Sequence, residues 1–212
     1  MSSVTRVLLR ASASFALLTL FVALCLAQAC LAQAGTDVSI QEVRVSGLPV
    51  AVARSHDPSD VVQVSLATIF HDKSVCCGKD SALGDDVPRA NTLSLKDVAA
   101  KLQGRHLLSD GRPIMVTAEY LDPAAINSGT LIATLHDQHP LLMEWNSHLY
   151  VCYGATYRRD YDFRTGAVLY TILKFLLLDT RYPDARRNVD FNREKDDWSK
   201  VQGMLRLAVA PQ

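Results

Sequence analysis

Three side chains in this sequence have the types needed for nucleophilic attack on a carbonyl, and they occur in a workable order: Cys77, His148 and Asp179. The thiolate is the attacking species, so a catalytic cysteine needs its anion stabilised, usually by a helix N-terminus and a neighbouring imidazolium. Cys77-Gly78, followed by Lys79-Asp80-Ser81-Ala82-Leu83, supplies the first if a helix starts there. Gly78 leaves room for a substrate backbone, and Lys79 adds positive charge. His148 stands at the mouth of an apolar, β-branched and aromatic stretch, Leu149 to Gly154, and would act as base. Asp179 ends the apolar run Val168–Leu178 and would orient the ring, provided that strands 149–156 and 168–178 pair antiparallel. Cys76 is the rival nucleophile. Cys77 is preferred because a glycine follows it.

Each of these residues also has a plainer reading. A cysteine before a glycine is commonly a small buried residue, and a histidine flanking a strand is commonly structural. His136, His139 and His71 offer metal-binding groups, but their spacing is irregular and no fourth ligand can be named, so neither metal nor cofactor is expected. Cys152 shares a strand face with His148 and Tyr150, since side chains alternate. Its default state is a buried thiol, with a bond to Cys76 as the alternative. Trp145 and Asn146, beside His148, either wall a cleft or belong to the core.

The elements that would position these groups can be read in part. Val38–Val45 and Leu48–Val52 suit two short strands turning at Ser46-Gly47, with Pro49 placing the second at an edge. Gly154 marks a bend or the end of its strand. Val61–Phe70 fits strand or helix equally. Leu95, Val98, Ala99 and Leu102 form one helix face, capped by Ser94 and stopped by Gly104. Arg105 to Asp110 reads as a polar connector to a strand at Ile114–Thr117. Asp122-Pro123 resembles a helix start, and Leu131, Ile132 and Leu135 suit a helix ending near His136. Strands follow at 141–145, 149–156 and 168–178. Asn188–Lys200 is charged and reads as surface, and Met204–Val209 alternates like a last strand. Helices concentrated in the front half and antiparallel strands in the back half predict an α+β fold.

The chain has 212 residues, with 22 basic and 22 acidic side chains. Its first 34 residues are different in kind. Arg6 and Arg10 precede an uncharged apolar run, Ala11–Leu26, and Ala-Gln-Ala occurs at 27–29 and 32–34, the pattern of a secretory signal peptide. Cleavage is expected after Ala34, leaving 35–212 as a single domain. Cleavage after Ala29 would make Cys30 the N-terminus and a possible lipid anchor. The expected location is therefore secreted or periplasmic, with no integral membrane segment after cleavage. Removing 1–34 takes two of the 22 basic groups, leaving 20 against 22 acidic ones, and no Lys/Arg run remains to neutralise phosphates, which excludes nucleic acid as an expected partner. The mature chain keeps Cys76, Cys77 and Cys152, too few for a disulfide scaffold and odd in number, so at least one thiol is expected outside an internal bond.

From Cys77 to Pro183 the chain resembles the papain-like cysteine peptidases, most closely the bacteriocin-leader-processing (double-glycine) type and its secreted stand-alone relatives. The matching pieces are Cys77-Gly-Lys-Asp-Ser-Ala-Leu83, Leu93-Ser-Leu-Lys-Asp-Val-Ala-Ala-Lys-Leu102, Leu135-His-Asp-Gln-His-Pro-Leu-Leu-Met143, His148-Leu-Tyr-Val-Cys-Tyr-Gly154 and Leu176-Leu-Leu-Asp179. The resemblance implies a papain-like fold, a helical part packed on an antiparallel sheet. It implies Cys77 as nucleophile, His148 as base and Asp179 as orienter, acting on a peptide or protein substrate. It also implies an oxyanion-hole glutamine six residues before the cysteine, where this chain has His71; the nearest upstream glutamine is Gln63. Asp179-Thr180 replaces the usual Asp-Pro. Loss of one oxyanion donor costs hydrolases about 2.7–4 kcal/mol in catalysis. The alternative expectation is therefore a non-catalytic papain-like domain that binds a peptide or a cell-envelope partner.

Overall fold

The computed structural model describes residues 36–48, 58–70, 75–76, 81–83, 94–182 and 188–212. Its strands are β1 (Thr36–Arg44), β2 (Gly104–Leu107), β3 (Pro113–Leu121), β4 (Leu141–Trp145), β5 (His148–Asp162), β6 (Val168–Leu178), β7 (Asn188–Asn192) and β8 (Val201–Pro211). Its helices are α1 (Pro58–Phe70), α2 (Leu95–Leu102) and α3 (Ser128–His136). Among the described residues the strands form one eight-stranded sheet in the order β2-β3-β8-β4-β5-β6-β7, with β1 paired to β5. The pairs β2–β3, β3–β8, β8–β4, β4–β5 and β6–β7 are antiparallel. This is an α+β architecture.

The chain divides into two compact units, 1–39 with 159–169 and 40–158 with 170–212. In the smaller unit Asp162 organises the turn between β5 and β6. Its carboxylate accepts from the Arg164 N–H at 2.8 Å and from the Thr165 hydroxyl at 2.8 Å. These bonds hold the Asp162 carboxyl below the usual carboxylate range. Gly166 closes the turn at φ +69°, where a side chain would be strained.

In the larger unit, apolar residues alternate between the two sheet faces, as the period of a strand requires. Leu142, Val151, Leu205 and Leu207 form one core with α1, α2, Val75, Cys76 and Leu83. Leu141, Met143, Tyr150, Cys152 and Met204 form the other with α3, Phe175 and Phe191. Helix α1 resolves the strand-or-helix ambiguity of 61–70. Ser65 and Thr68 are as buried as Leu66 and Ile69, so no polar face marks the helical period. Its Thr68 hydroxyl donates back to the Val64 carbonyl at 2.8 Å. Helix α2 is capped as expected: the Asp97 N–H donates to Ser94 Oγ, and the Ser94 hydroxyl donates to the Asp97 carboxylate at 2.9 Å.

Several expectations are corrected. Asp122 caps only a single turn, accepting from the Ala124 N–H at 2.9 Å, and α3 begins later, with Asn127 as its N-cap. The connector after Gly104 is strand β2, whose alternate residues are half-buried, as suits an edge strand. The segment 188–200 is not wholly surface, because Phe191 is fully buried. Of the second expected strand, only Leu48 lies within the described residues, and it is irregular.

Gly154 neither bends nor ends β5. A Cβ there would lie 2.5 Å from the Val43 carbonyl oxygen and 3.0 Å from Leu176 Cδ1, so glycine is what lets β1 approach. Gly154→Ala is expected to cost about 1–3 kcal/mol by overpacking, read as a lower urea midpoint. A midpoint equal to wild type would mean that β1 yields freely.

Candidate functional site

The hairpin β4–β5 places His148. Trp145 and His148 face each other in register across a two-residue turn, Asn146-Ser147, at φ +52° and +60°. Positive φ at both central positions is the primed turn that matches the twist of paired strands, and asparagine tolerates it well. The turn is anchored to the start of β8: the Asn146 N–H donates to the Lys200 carbonyl at 2.9 Å, and the Ser147 N–H donates to Gln202 Oε1 at 2.7 Å. His148 is thus held at the rim of the sheet, exposed, with Tyr150 and Cys152 on its face of β5.

Asp179 lies just past the end of β6 and is 3% exposed. The chain turns there, and the reversal brings Arg181 back over the carboxylate. Asp179 Oδ1 accepts from the Arg181 backbone N–H at 3.0 Å and from Arg181 Nε at 2.8 Å, while Oδ2 accepts from Nη2 at 2.5 Å. This is a two-pronged guanidinium–carboxylate pair, the strongest geometry for such a contact. Arg181 Nη1 then reaches His148 Nδ1 at 2.9 Å. The expected neighbours His148 and Asp179 are therefore brought together, but through Arg181 instead of by direct contact.

The guanidinium also sits 5.8 Å from the ring centres of both Tyr150 and Tyr182, within range of cation–π attraction. Hydrogen bonding to Asp179 raises the Arg181 pKa above its ordinary value. Burial pushes the Tyr150 phenol up, against the lowering effect of Arg181. Thr180, fully buried, shares a 3.2 Å hydrogen bond with Ser65, which ties α1 to this corner. Gln63 lies on the same helix and is partly buried.

Cys77 and His71 lie outside the described residues. The residues flanking Cys77 do bear on its expected setting. Val75 and Cys76 form a turn, and Ala82-Leu83 form another. The Leu83 N–H donates to the Val75 carbonyl at 2.9 Å. In a helix begun at Cys77 the Leu83 N–H would donate four residues back, so this bond, with the turn at Ala82-Leu83, means that the expected helix does not run through Ser81–Leu83. Val75, Cys76 and Leu83 pack in the same core as Val151 and Leu178, with Leu149 against it. Those three are close sequence neighbours of His148 and Asp179, but Leu149 and Val151 lie on the sheet face opposite Tyr150 and Cys152, which share the face of His148.

Cys76 is 1% exposed and disulfide-bonded, and a sulfur in that state has no thiolate to offer. Its partner is not Cys152, which is a free, fully buried thiol pushed by burial up to about 12 and so inert at neutral pH. The alternative Cys76–Cys152 bond is corrected accordingly. His136 Nε2 bonds the Tyr157 hydroxyl at 3.1 Å. Among the described residues no three His, Cys, Asp or Glu side chains converge as a metal would require. Trp145 packs edge-on against Phe191 at 4.9 Å and belongs to the core. Two cavities of about 350 and 320 Å³ adjoin Asp122, and neither is lined by His148, Asp179 or Arg181. Among the described residues no helix is long and apolar enough to cross a membrane.

Arg181 is the site residue that sequence reasoning missed. An arginine two residues after a strand-ending aspartate was the available signal, because a tight reversal there lets the guanidinium fold back on the carboxylate. No protein-family model matches the chain, and no curated protein sequence matches it significantly.

Proposed function

We propose that the chain is an exported thiol-dependent hydrolase of papain-like architecture, cleaving a peptide or amide bond through an acyl-enzyme on Cys77. The observation that carries this reading is the pairing of two of the three expected residues at one end of the sheet. His148 and Asp179 share one hydrogen-bonded chain through Arg181, and Thr180, next to Asp179, bonds Ser65 of α1, the helix that packs with the residues flanking Cys77. In the proposed reaction His148 takes the Cys77 proton as the sulfur attacks the carbonyl carbon, then passes it to the departing amine. Water, deprotonated by the same imidazole, releases the acid and restores the thiol. Asp179 fixes Arg181, and Arg181 holds the His148 ring at this corner before the proton transfer. No cofactor enters these steps, and the signal-like stretch 1–34 supports export.

A second reading has an observation of its own. The His148 Nδ1 lone pair is already accepting from Arg181, and His71 stands where the resemblance calls for a glutamine. Both favour a non-catalytic papain-like domain that binds an extended peptide or envelope partner.

Thiol labelling separates the two. The purified mature protein is treated with a dithiol reductant, then with limiting iodoacetamide across a pH range, and the modified thiols are mapped. The hydrolase reading expects Cys77 to alkylate at neutral pH or below, and His148→Ala to slow it strongly. Alkylation only above about pH 8, as for an ordinary thiol near pKa 8.5, in wild type and in an Arg181→Lys variant that frees the ring alike, sinks the enzyme and leaves the binding domain.

A further inference from the structure

We infer that Arg181 is a latch: it holds His148 in a form that donates from Nε2 and has no lone pair left to accept the Cys77 proton. The inference rests on the proposed hydrolase only in naming the proton that is blocked. The hold on the ring stands on the geometry alone.

A guanidinium has donors and no acceptor. The 2.9 Å contact between Arg181 Nη1 and His148 Nδ1 therefore has one polarity, with nitrogen of the arginine donating and the imidazole lone pair accepting. A neutral imidazole has one protonated and one bare nitrogen, so the proton sits on Nε2. A general base needs its bare nitrogen turned to the nucleophile, and here that nitrogen is turned to Arg181 and occupied. The arginine is the fixed partner of this contact. Its side chain is 15% exposed, clamped by both oxygens of a 4% exposed carboxylate and backed by Tyr150 and Tyr182. His148, in contrast, is exposed and stands at the first position of β5. Opening the latch is thus a rotation of the His148 side chain off a stationary guanidinium, and it breaks one hydrogen bond. Binding of a substrate that gives the swung-out ring a new partner offsets that loss, so the base form is assembled when a substrate is present. Arg181 acts through His148 and is a positioning residue.

The test reads the imidazole directly. Nitrogen-15 NMR of the full mature chain, with His148 assigned by its loss in His148→Gln, is expected to show the Nε2–H tautomer essentially alone at a pH where the ring is neutral. Arg181→Lys keeps a cation opposite Asp179 but cannot fork to the carboxylate and reach Nδ1 together. In that variant the Nδ1–H tautomer is expected to rise roughly tenfold relative to Nε2–H, the weight of one hydrogen bond from a charged donor. Cys77 alkylation at neutral pH is expected to speed up by a similar factor. A mixed tautomer in wild type, an unchanged ratio in Arg181→Lys, or slower alkylation in that variant would overturn the latch. The wild-type spectrum requires no folded variant of Arg181, so that arm decides even if the lysine protein is unstable. If the tautomer shifts as expected while Cys77 stays inert in both proteins, the hold of Arg181 on His148 stands and the hydrolase reading falls.

Discussion

Arg181→Met is expected to destabilise the larger unit by about 3–5 kcal/mol, the usual cost of removing one partner of a buried ion pair. The Asp179 side chain is 4% exposed and takes three N–H donors, two of them from the guanidinium. Methionine matches the apolar stem and much of its contact with Tyr150 and Tyr182, so packing loss stays small and the stranded carboxylate dominates. The loss is measured as the change in unfolding free energy in urea at neutral pH. A double variant isolates the cause. With Asp179→Asn added, no charge is left stranded, and more than half of the lost stability is expected to return. The competing view is that the pair is screened by water like a surface salt bridge, which would be worth about 1 kcal/mol or less. A loss of that size in Arg181→Met would remove the rigid anchor on which both the orientation of His148 and the latch depend.

Arg181 also shows where sequence reading of this chain stops. His148 was legible because an apolar strand beginning after a polar break at Asn146-Ser147 must place its first residue at the rim. Asp179 was legible because an eleven-residue apolar strand, Val168–Leu178, has to end in something polar. What joins them was not legible, since it depends on how sharply the chain reverses at Thr180. The Tyr182 N–H bonds the Asp179 carbonyl at 3.3 Å, and the same reversal aims Arg181 at both partners. The spacing of His148 and Asp179 allows the two to meet but carries no sign of a third residue between them. The 75–83 segment failed for a related reason. Ser-Ala-Leu after Cys-Gly is compatible with a helix start, yet the Leu83 N–H bonds the Val75 carbonyl, a pairing of residues eight apart that nothing periodic announces. Helix α1 was ambiguous because it is enclosed: Ser65 bonds Thr180 from within the core, so a polar residue there signals an interior contact and not an outer face. Strand order within the sheet was the least visible feature. β8, the last strand in sequence, sits between β3 and β4, a long-range pairing with no local signature.

Phe191→Ala is the other large effect expected, about 3–5 kcal/mol, as for other fully buried aromatic truncations. Its neighbourhood, Asn188–Lys200, is dominated by charge, and one phenylalanine in such a run reads as incidental. In the fold it is the centre of an aromatic cluster. Its ring is fully buried and lies 4.9 Å from Trp145, 5.7 Å from Trp198 and 6.2 Å from Phe175. Arg193 covers Trp198 from outside at 4.4 Å, which explains how charge and core coexist in one short segment. The cluster bears on the site through one residue, because Trp145 is the register partner of His148. Removing the Phe191 ring leaves a void against the indole, so the variant should lose stability in urea and also show a red-shifted tryptophan emission before global unfolding. Both changes are needed. A stability loss with unchanged emission would mean that the cavity collapses from the Phe175 side and the hairpin stays rigid. A loss under about 1 kcal/mol would mean that 188–192 is a peripheral strand and not the floor beneath the β4–β5 turn. With both changes present, the positioning of His148 traces back to a phenylalanine more than forty residues downstream, in the stretch whose charge had marked it as surface.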